Sequence, residues 1–321
     1  MVLSKVELFA LPENNLEKIE AKPFLKWAGG KTQLLEALEA RLPAQIRETR
    51  VIEKYVEPFV GGGAVFFFLK RNYLVKKAFL IDINRELILT YKVVQKFPLE
   101  LINKLATMEK EFFQRDEAGR REYYYRVRRE FNEQGRGFDY SSFSERWISR
   151  AAQIIFLNKT CYNGLFRMNR KGEFNVPFGR YKNPRICDAE NILAASKALA
   201  EAEIICGDFS VADDFIEKGT LVYFDPPYRP LSSTANFTGY TENGFTDDEQ
   251  KRLAEFFRRM HAKGAWLLLS NSDPKNVNDK DDFFERLYDG FVIERVEAKR
   301  YINRDARKRG EIREVIIRNY E

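Results

Sequence analysis

Short apolar runs that close on an acid alternate with stretches of helical periodicity along much of this chain. Leu221-Val222-Tyr223-Phe224 reads as a buried strand, and Tyr55-Val56 and Ala78-Phe79-Leu80-Ile81 read the same way. Strands are expected near 54–58, 78–82, 203–207, 220–225, 265–270, 291–298 and 312–318, and helices near 31–41, 64–71, 84–96, 246–262 and 280–288. Thr246-Asp247-Asp248-Glu249 opens a helix with a capping hydroxyl and acids that suit the positive end of the helix dipole. The last two strands follow one another with only a loop between them, which gives a terminal antiparallel hairpin. The expected class is α/β, with a smaller inserted unit in the middle of the chain. That middle, about 99 to 190, differs in character. Arg115 to Arg136 interleaves arginines with Tyr123, Tyr124 and Tyr125, and Glu122, Glu130 and Glu133 make most of it a solvated helix face. From Asn158 to Tyr181, Gly, Asn and Pro break any periodicity while Arg, Lys and aromatics persist, so the segment reads as a contact surface that buries little of itself. A β-hairpin finger with a purely structural role fits it too.

Three motifs carry candidate chemistry. Asp225-Pro226-Pro227-Tyr228 follows the strand-like 221–224 run. It sets a carboxylate, a stiff turn and an aromatic ring at a strand's carboxyl end, where ligands bind in open α/β sheets. A carboxylate and a carbonyl accept from an exocyclic amine, neither proline offers a competing N–H, and a tyrosine ring stacks an extruded base. A Pro-rich turn after any strand is the plainer reading. Glu57-Pro58-Phe59-Val60-Gly61-Gly62-Gly63-Ala64 lies between Tyr55-Val56 and the helical run Val65 to Leu69, the opening of a nucleotide-type unit, although Phe66 stands where a third glycine belongs. Asp82 ends the next strand about 20 residues on, the ribose-binding arrangement; it could also cap the helix starting near Asn84. Phe24-Leu25-Lys26-Trp27-Ala28-Gly29-Gly30-Lys31 resembles a phosphate loop only in its last residues, because Leu25 occupies the position of the required first glycine. An aromatic with two glycines and a lysine remains as a ligand floor, or as a helix-start turn with Trp27 in the core.

The order of these motifs is similar to that of the Dam-type DNA adenine-N6 methyltransferases of the D12 class, α order, and within them to the GATC methylases. Asn158 to Arg167 followed by Gly172 to Tyr181 resembles their DNA-reading segment, and Gly207-Asp208-Phe209, Ser270-Asn271-Ser272 and Arg313 to Tyr320 also match. The resemblance runs from about Lys22 to the carboxyl terminus. It implies a Rossmann-like methyltransferase sheet over 1–98 and 191–321, and a mainly helical recognition domain with a β-hairpin over 99–190. It implies S-adenosyl-L-methionine as cofactor, S-adenosyl-L-homocysteine as product and no metal. Trp27, Lys31, Asp82, Asp208 and Phe209 would bind the cofactor, Phe59, Gly61 and Gly63 would shape its bed, and Asp225 would sit where cofactor and base meet. Asp225, Pro226, Pro227 and Tyr228 would be catalytic. Arg167 would read guanine, Lys26 would contact another guanine or a phosphate, and Tyr162, Asn163, Leu165, Pro177 and Tyr181 would line or wedge the duplex.

Composition agrees. The 321 residues suffice for a large α/β domain plus an inserted one, and 54 Lys+Arg against 48 Asp+Glu give a net charge of +6 that suits double-stranded DNA. Three scattered cysteines argue for free thiols in a reducing, cytoplasmic setting (a bacterial, archaeal or phage-infected cell), and the lone His261 has no partner for a metal site or a triad. No apolar run reaches membrane-spanning length. No Pro-Cys pair supplies the thiolate that cytosine C5 methylation requires. No nuclease motif is evident, so a cognate restriction endonuclease would be a separate chain. Basic Arg300 to Gly310 suits phosphate contact or a solvated loop, and polar Arg229 to Phe245 suits a mobile loop over the site or a plain connector.

Overall fold

The computed structural model describes residues 20–27, 29, 31, 33–169, 171–229, 245–299 and 311–321. Two short helices, α1 (Leu35–Glu39) and α2 (Ala44–Thr49), lead into β1 (Val51–Glu57). Then follow α3 (Ala64–Asn72), β2 (Leu74–Asp82), α4 (Arg85–Lys96), α5 (Pro98–Phe113), α6 (Glu117–Gly135), α7 (Glu145–Thr160) and α8 (Ala189–Leu199). The chain closes with β3 (Ala202–Cys206), β4 (Leu221–Phe224), α9 (Asp247–Ala262), β5 (Trp266–Ser272), α10 (Phe283–Leu287), β6 (Val292–Lys299) and β7 (Glu311–Arg318). All seven expected strands form. The helix expected over 31–41 is only five residues long, because the chain turns at Ala40 to Leu42 and Pro43, extended at ψ 137°, opens α2 instead.

The seven strands make one sheet in the order β3-β2-β1-β4-β5-β7-β6. The first five run parallel, and β7 pairs antiparallel with both β5 and β6. The sheet is the Rossmann-like methyltransferase arrangement expected, with its terminal antiparallel hairpin. Successive side chains alternate between two helical layers. Tyr55, Leu80, Tyr223, Leu268 and Ile316 enter a core shared with α3 to α8, while Val56, Ile81, Val222, Leu267 and Ile317 enter one shared with α9 and α10. Every residue of β4 is buried, as a central parallel strand covered on both faces requires. The order reverses between β1 and β4, and the carboxyl ends of these two strands are where ligands bind in open sheets of this kind.

Helix termini carry local signals. The Asn84 side chain accepts from the N–H groups of Glu86 and Leu87, and that of Thr246 accepts from Glu249 N–H. One buried charge pair ties α7 to α4. Arg150 Nε donates to Glu86 Oε2 at 2.8 Å, its Nη2 to Oε1, and its Nη1 to Phe131 O at 3.0 Å. The helices after α4 therefore share a core with the sheet layer.

Candidate active site

Two loops leave the carboxyl ends of the neighbouring strands β4 and β1. The first leaves β4 at Asp225. Lys31 Nζ lies 2.7 Å from Asp225 Oδ1, donates to Gly29 O at 2.8 Å and sits 4.3 Å from the centre of the Tyr228 ring. Tyr228 OH donates to Glu314 on β7. Behind the turn runs a chain of buried amides. Gln250 Nε2 donates to Pro227 O at 3.2 Å, Asn271 Nδ2 to Gln250 Oε1 at 3.4 Å, and Arg229 N–H to Asn271 Oδ1 at 3.3 Å. Gln250 and Asn271 are both 0% exposed, so the turn is fixed from within. Burial pushes the Asp225 carboxyl up to about 6 although Lys31 beside it works the other way. The lysine expected at the cofactor is thus engaged with the strand-end carboxylate and the tyrosine face.

The second loop leaves β1 at Glu57, a buried carboxylate that accepts from Tyr55 OH at 2.9 Å and that burial holds well above the usual range. Val60 N–H donates to Ile81 O at 2.9 Å, and Gly61 N–H donates to Asp82 Oδ2 at 3.0 Å. Asp82 Oδ1 accepts from Asn84 N–H at 2.9 Å. Asp82 therefore stitches the two strand-end loops together, and the helix cap is Asn84. Burial raises Asp82 to about 6 against these hydrogen bonds. Gly61 and Gly63 have φ of +48° and +69°. A Cβ at Gly61 would meet Trp27 Cδ1 at 2.8 Å, and one at Gly63 would meet Tyr91 Oη at 2.5 Å. The glycines thus make room for Trp27 and Tyr91, not only for a ligand.

Asp208 follows β3, next to the end of β2, with Gly207 N–H donating to Asp82 O at 3.1 Å. Arg252 holds it through two bonds of 2.8 and 2.7 Å, which draw its carboxyl down to about 2. Phe209, buried, packs on Phe59 at 5.5 Å, and Phe245 closes the triangle at 5.7 and 6.3 Å. Two carboxylates at adjacent strand ends beside an aromatic cluster fit an adenosine-bearing ligand: one acceptor for ribose hydroxyls, another for an amine.

The segment from Asn158 to Tyr181 begins as the last turn of α7, passes through a 3-10 turn at Tyr162–Gly164, and then runs out and back held by two isolated antiparallel bridges, Cys161–Phe178 and Met168–Phe174. A continuous hairpin ladder does not form, since Pro177 has no N–H to give. Phe166, Phe174, Val176 and Phe178 are buried in the main core. The segment thus buries more of itself than its broken periodicity suggests, because α6 supplies backbone partners. Tyr124 OH donates to Val176 O at 2.7 Å, and Asn132 pairs with both backbone groups of Phe174. Tyr162, Asn163, Leu165, Arg167 and Pro177 point outward and Tyr181 is half-buried. Arg167 Nε donates to Asn175 Oδ1 at 2.9 Å, and among the described residues its fork has no other hydrogen-bond partner. Lys26 is clamped by Asn158, which accepts its N–H at 2.8 Å and donates to its carbonyl at 2.9 Å, and its Nζ lies 5.5 Å from the Tyr181 ring centre. Trp27 stacks on Phe166 at 5.3 Å. Lys31, Asp82 and Asp225 are thereby gathered at the strand ends, while Lys26 faces Tyr181 and Trp27 stacks on Phe166, the residue before Arg167.

Asn158, Gln250, Asn271, Glu314 and Phe245 escaped the sequence reading as site residues. Three of them, Asn158, Asn271 and Glu314, lay in matched motifs without an assigned role. Gln250 could have been found as an amide on the inner face of an otherwise charged helix. Arg300 to Gly310 and most of the Arg229 to Phe245 segment lie outside the described residues. Among the described residues no group of three or more His, Cys, Asp or Glu could hold a metal ion, and no helix is long and apolar enough to cross a membrane. His261 is exposed, with Nδ1 2.9 Å from Asn319 Nδ2, and the three cysteines are free.

The family model described as D12 class N6 adenine-specific DNA methyltransferase matches residues 27–302. The type II methyltransferase M.MjaIII of Methanocaldococcus jannaschii is 51% identical over 304 residues, 94% of this chain and 100% of that protein. The type II methyltransferase M1.LlaDCHI of Lactococcus lactis is 39% identical, over 94% of this chain and 97% of its own. A DNA adenine methylase of Vibrio cholerae is 36% identical, over 92% and 95%.

Proposed function

The chain belongs to the D12 class N6 adenine-specific DNA methyltransferases, and from that premise we propose that it methylates adenine N6 within GATC in double-stranded DNA, drawing the methyl from S-adenosyl-L-methionine and flipping the target base. The observation that carries this reading is the juxtaposition of Asp225, Lys31 and the Tyr228 ring at the end of β4, beside the glycine loop of β1. The cofactor, when bound, supplies a methyl group already activated on a sulfonium.

The protein's part is position and charge. Asp82 offers its remaining lone pairs to ribose hydroxyls, Asp208 to an amine, and Phe59 and Phe209 an aromatic bed. Trp27 keeps the glycine loop in shape. Asp225 and the Pro226 carbonyl accept the two N–H groups of the flipped adenine amine, which turns the nitrogen lone pair out of ring conjugation and toward the methyl. Tyr228, anchored by Glu314, gives the base a stacking face. The nitrogen gains a carbon and loses one proton, and the ionised Asp225 carboxylate is the acceptor at hand. Lys31 favours that ionised form.

Residues 99–190 form the recognition unit in this reading and 1–98 with 191–321 the catalytic one. Arg167 directs its free guanidinium edge at guanine O6 and N7 in the major groove. Lys26 meets a second guanine or a phosphate, and Tyr162, Asn163, Leu165, Pro177 and Tyr181 support or wedge the opened duplex. DNA from a host that lacks the GATC mark, but expresses this chain, should become resistant to an endonuclease blocked by it and sensitive to one that requires it. Unchanged sensitivity to both, with methyl incorporated elsewhere, would refute the target sequence.

A further inference from the structure

Outside the site, the strongest unassigned feature is a concave volume of about 1210 Å³ along the outer face of α6. Arg115, Arg121, Arg126, Arg129 and Arg180 line it, against Glu117 and Glu122. Five cations facing two carboxylates leave it strongly positive. We propose that this groove is a second DNA track, which takes the phosphate backbone of the duplex flanking the target site. The proposal rests on the reading above and extends it to the duplex beyond the recognised bases.

Three observations support it. Arg121, Arg129 and Arg180 have no ion pair among the described residues, and Arg126 reaches Glu111 and Glu130 only at 3.7 and 3.9 Å. Arg121, Arg129 and Arg180 are therefore left unneutralised among the described residues, and Arg126 is held only at the outer edge of ion-pair distance. Aromatic rings hold several of the guanidiniums in place. Arg115 and Arg126 lie 4.7 and 4.9 Å from the Tyr123 ring centre, and Arg121 lies 5.9 Å from that of Tyr125. A guanidinium ordered in this way keeps its N–H edge for phosphate oxygens. The groove also runs into the reading segment. Arg180 lines it at φ +56° and directly precedes Tyr181, whose ring faces Lys26. Arg121, Arg126 and Arg129 share one exposed face of α6, whereas its opposite face, Tyr124, Val127 and Phe131, is core.

The test compares the wild type with an Arg121→Ala/Arg126→Ala/Arg129→Ala variant. The substituted side chains are exposed, so the variant's melting should match the wild type. Affinity is measured against salt on a duplex of about 12 base pairs holding one GATC and on one of about 40 base pairs. On the long duplex, the variant should lose about two to three from the slope of log affinity against log salt, and bind about tenfold or more weakly at physiological salt. On the short duplex its kcat should be unchanged. An Arg→Lys version at all three positions should keep the slope, since counterion release needs only charge. An unchanged slope on the long duplex, with the short one still methylated, refutes the track and leaves the enzymatic reading standing. Equal losses on both duplexes refute its placement outside the target. A wild type that methylates neither duplex refutes the reading beneath it.

Discussion

Replacing Lys31 by Met should move the acid limb of the reaction rather than abolish it. Lys31 is 5% exposed, its Nζ is 2.7 Å from Asp225 Oδ1, and the aspartate is already raised to about 6 by burial. Removing one partner of a buried ion pair costs about 3–5 kcal/mol. Asp225 is 20% exposed, so water recovers part of that, and about 3 kcal/mol is left to disfavour its charged form. At about 1.4 kcal/mol per pH unit, the carboxyl rises by about two units, to about 8. The sign follows from the cause: burial already favours the protonated form, Lys31 is the main group opposing it, and without Lys31 only the weaker hydrogen bond from Ser270 does, against Glu314. At pH 7 the ionised fraction then falls from about nine-tenths to about one-tenth. Turnover at saturating S-adenosyl-L-methionine on a short GATC duplex, from about pH 5.5 to 9.5, is the assay. The wild type should lose activity below about 6, and K31M should be about tenfold slow at pH 7 and recover near pH 9. An unshifted limb, or a loss that persists at high pH, would refute the claim that Lys31 acts through the charge of Asp225.

Four further outcomes are expected. Asp225→Ala should abolish methyl transfer while keeping one cooperative urea transition, its midpoint lowered because the buried Lys31 ammonium loses its partner, and measurable turnover would sink the catalytic assignment. Gly63→Ala should cost about 3 kcal/mol in urea unfolding, since it combines a left-handed φ with a Cβ driven into Tyr91 Oη; a loss below about 1 kcal/mol would mean that the loop yields easily. Arg150→Ala should cost about 3–5 kcal/mol by stranding the Glu86 carboxylate in the core, and Glu86→Gln/Arg150→Met should recover much of it. Arg252→Ala should return the Asp208 carboxyl from about 2 toward its ordinary value in an NMR titration. The pair's small stabilisation is present above the unfolded value and is lost as pH falls toward 2, and both side chains are more than a third exposed.

The strands, and the acids Asp82 and Asp225 that end two of them, were legible because each signal is local, whereas Asp208 came only with the family resemblance. An apolar run such as Leu221 to Phe224 needs only its own composition to declare a buried strand, and the acid after it marks the carboxyl end. The glycine loop was legible as a loop but not as to its reason, since Trp27 and Tyr91, which need the space, lie far from it in sequence. The supports of the site were hidden for the same cause. Gln250, Asn271 and Glu314 have no chemistry of their own to advertise, and they matter only because β5, β7 and α9 bring them behind Pro227 and Tyr228. The reading segment misled in the opposite direction. Its Gly, Asn and Pro residues erase periodicity, yet Phe166, Phe174 and Phe178 pack inward because Tyr124, Arg128 and Asn132 on α6 satisfy its backbone.

Those supports bear on how recognition could reach the methyl-transfer centre. Trp27 lies between the two: it fills the space that Gly61 and Gly62 leave empty and stacks on Phe166, the residue before Arg167. Lys26, its neighbour, is clamped to the end of α7 by Asn158, and the same amide donates to Gly164 O in the reading segment at 3.0 Å. If Arg167 reads guanine as proposed, its displacement has a packed route to the glycine loop, and so to the Asp82 and Asp225 ends of the sheet. A cycle of Phe166→Leu and Gly62→Ala, read as S-adenosyl-L-methionine affinity with and without a GATC duplex, measures the coupling. If the route carries energy, the two substitutions should together reduce the duplex-induced gain in affinity by less than the sum of their separate effects; strict additivity would mean that Trp27 is packing and nothing more.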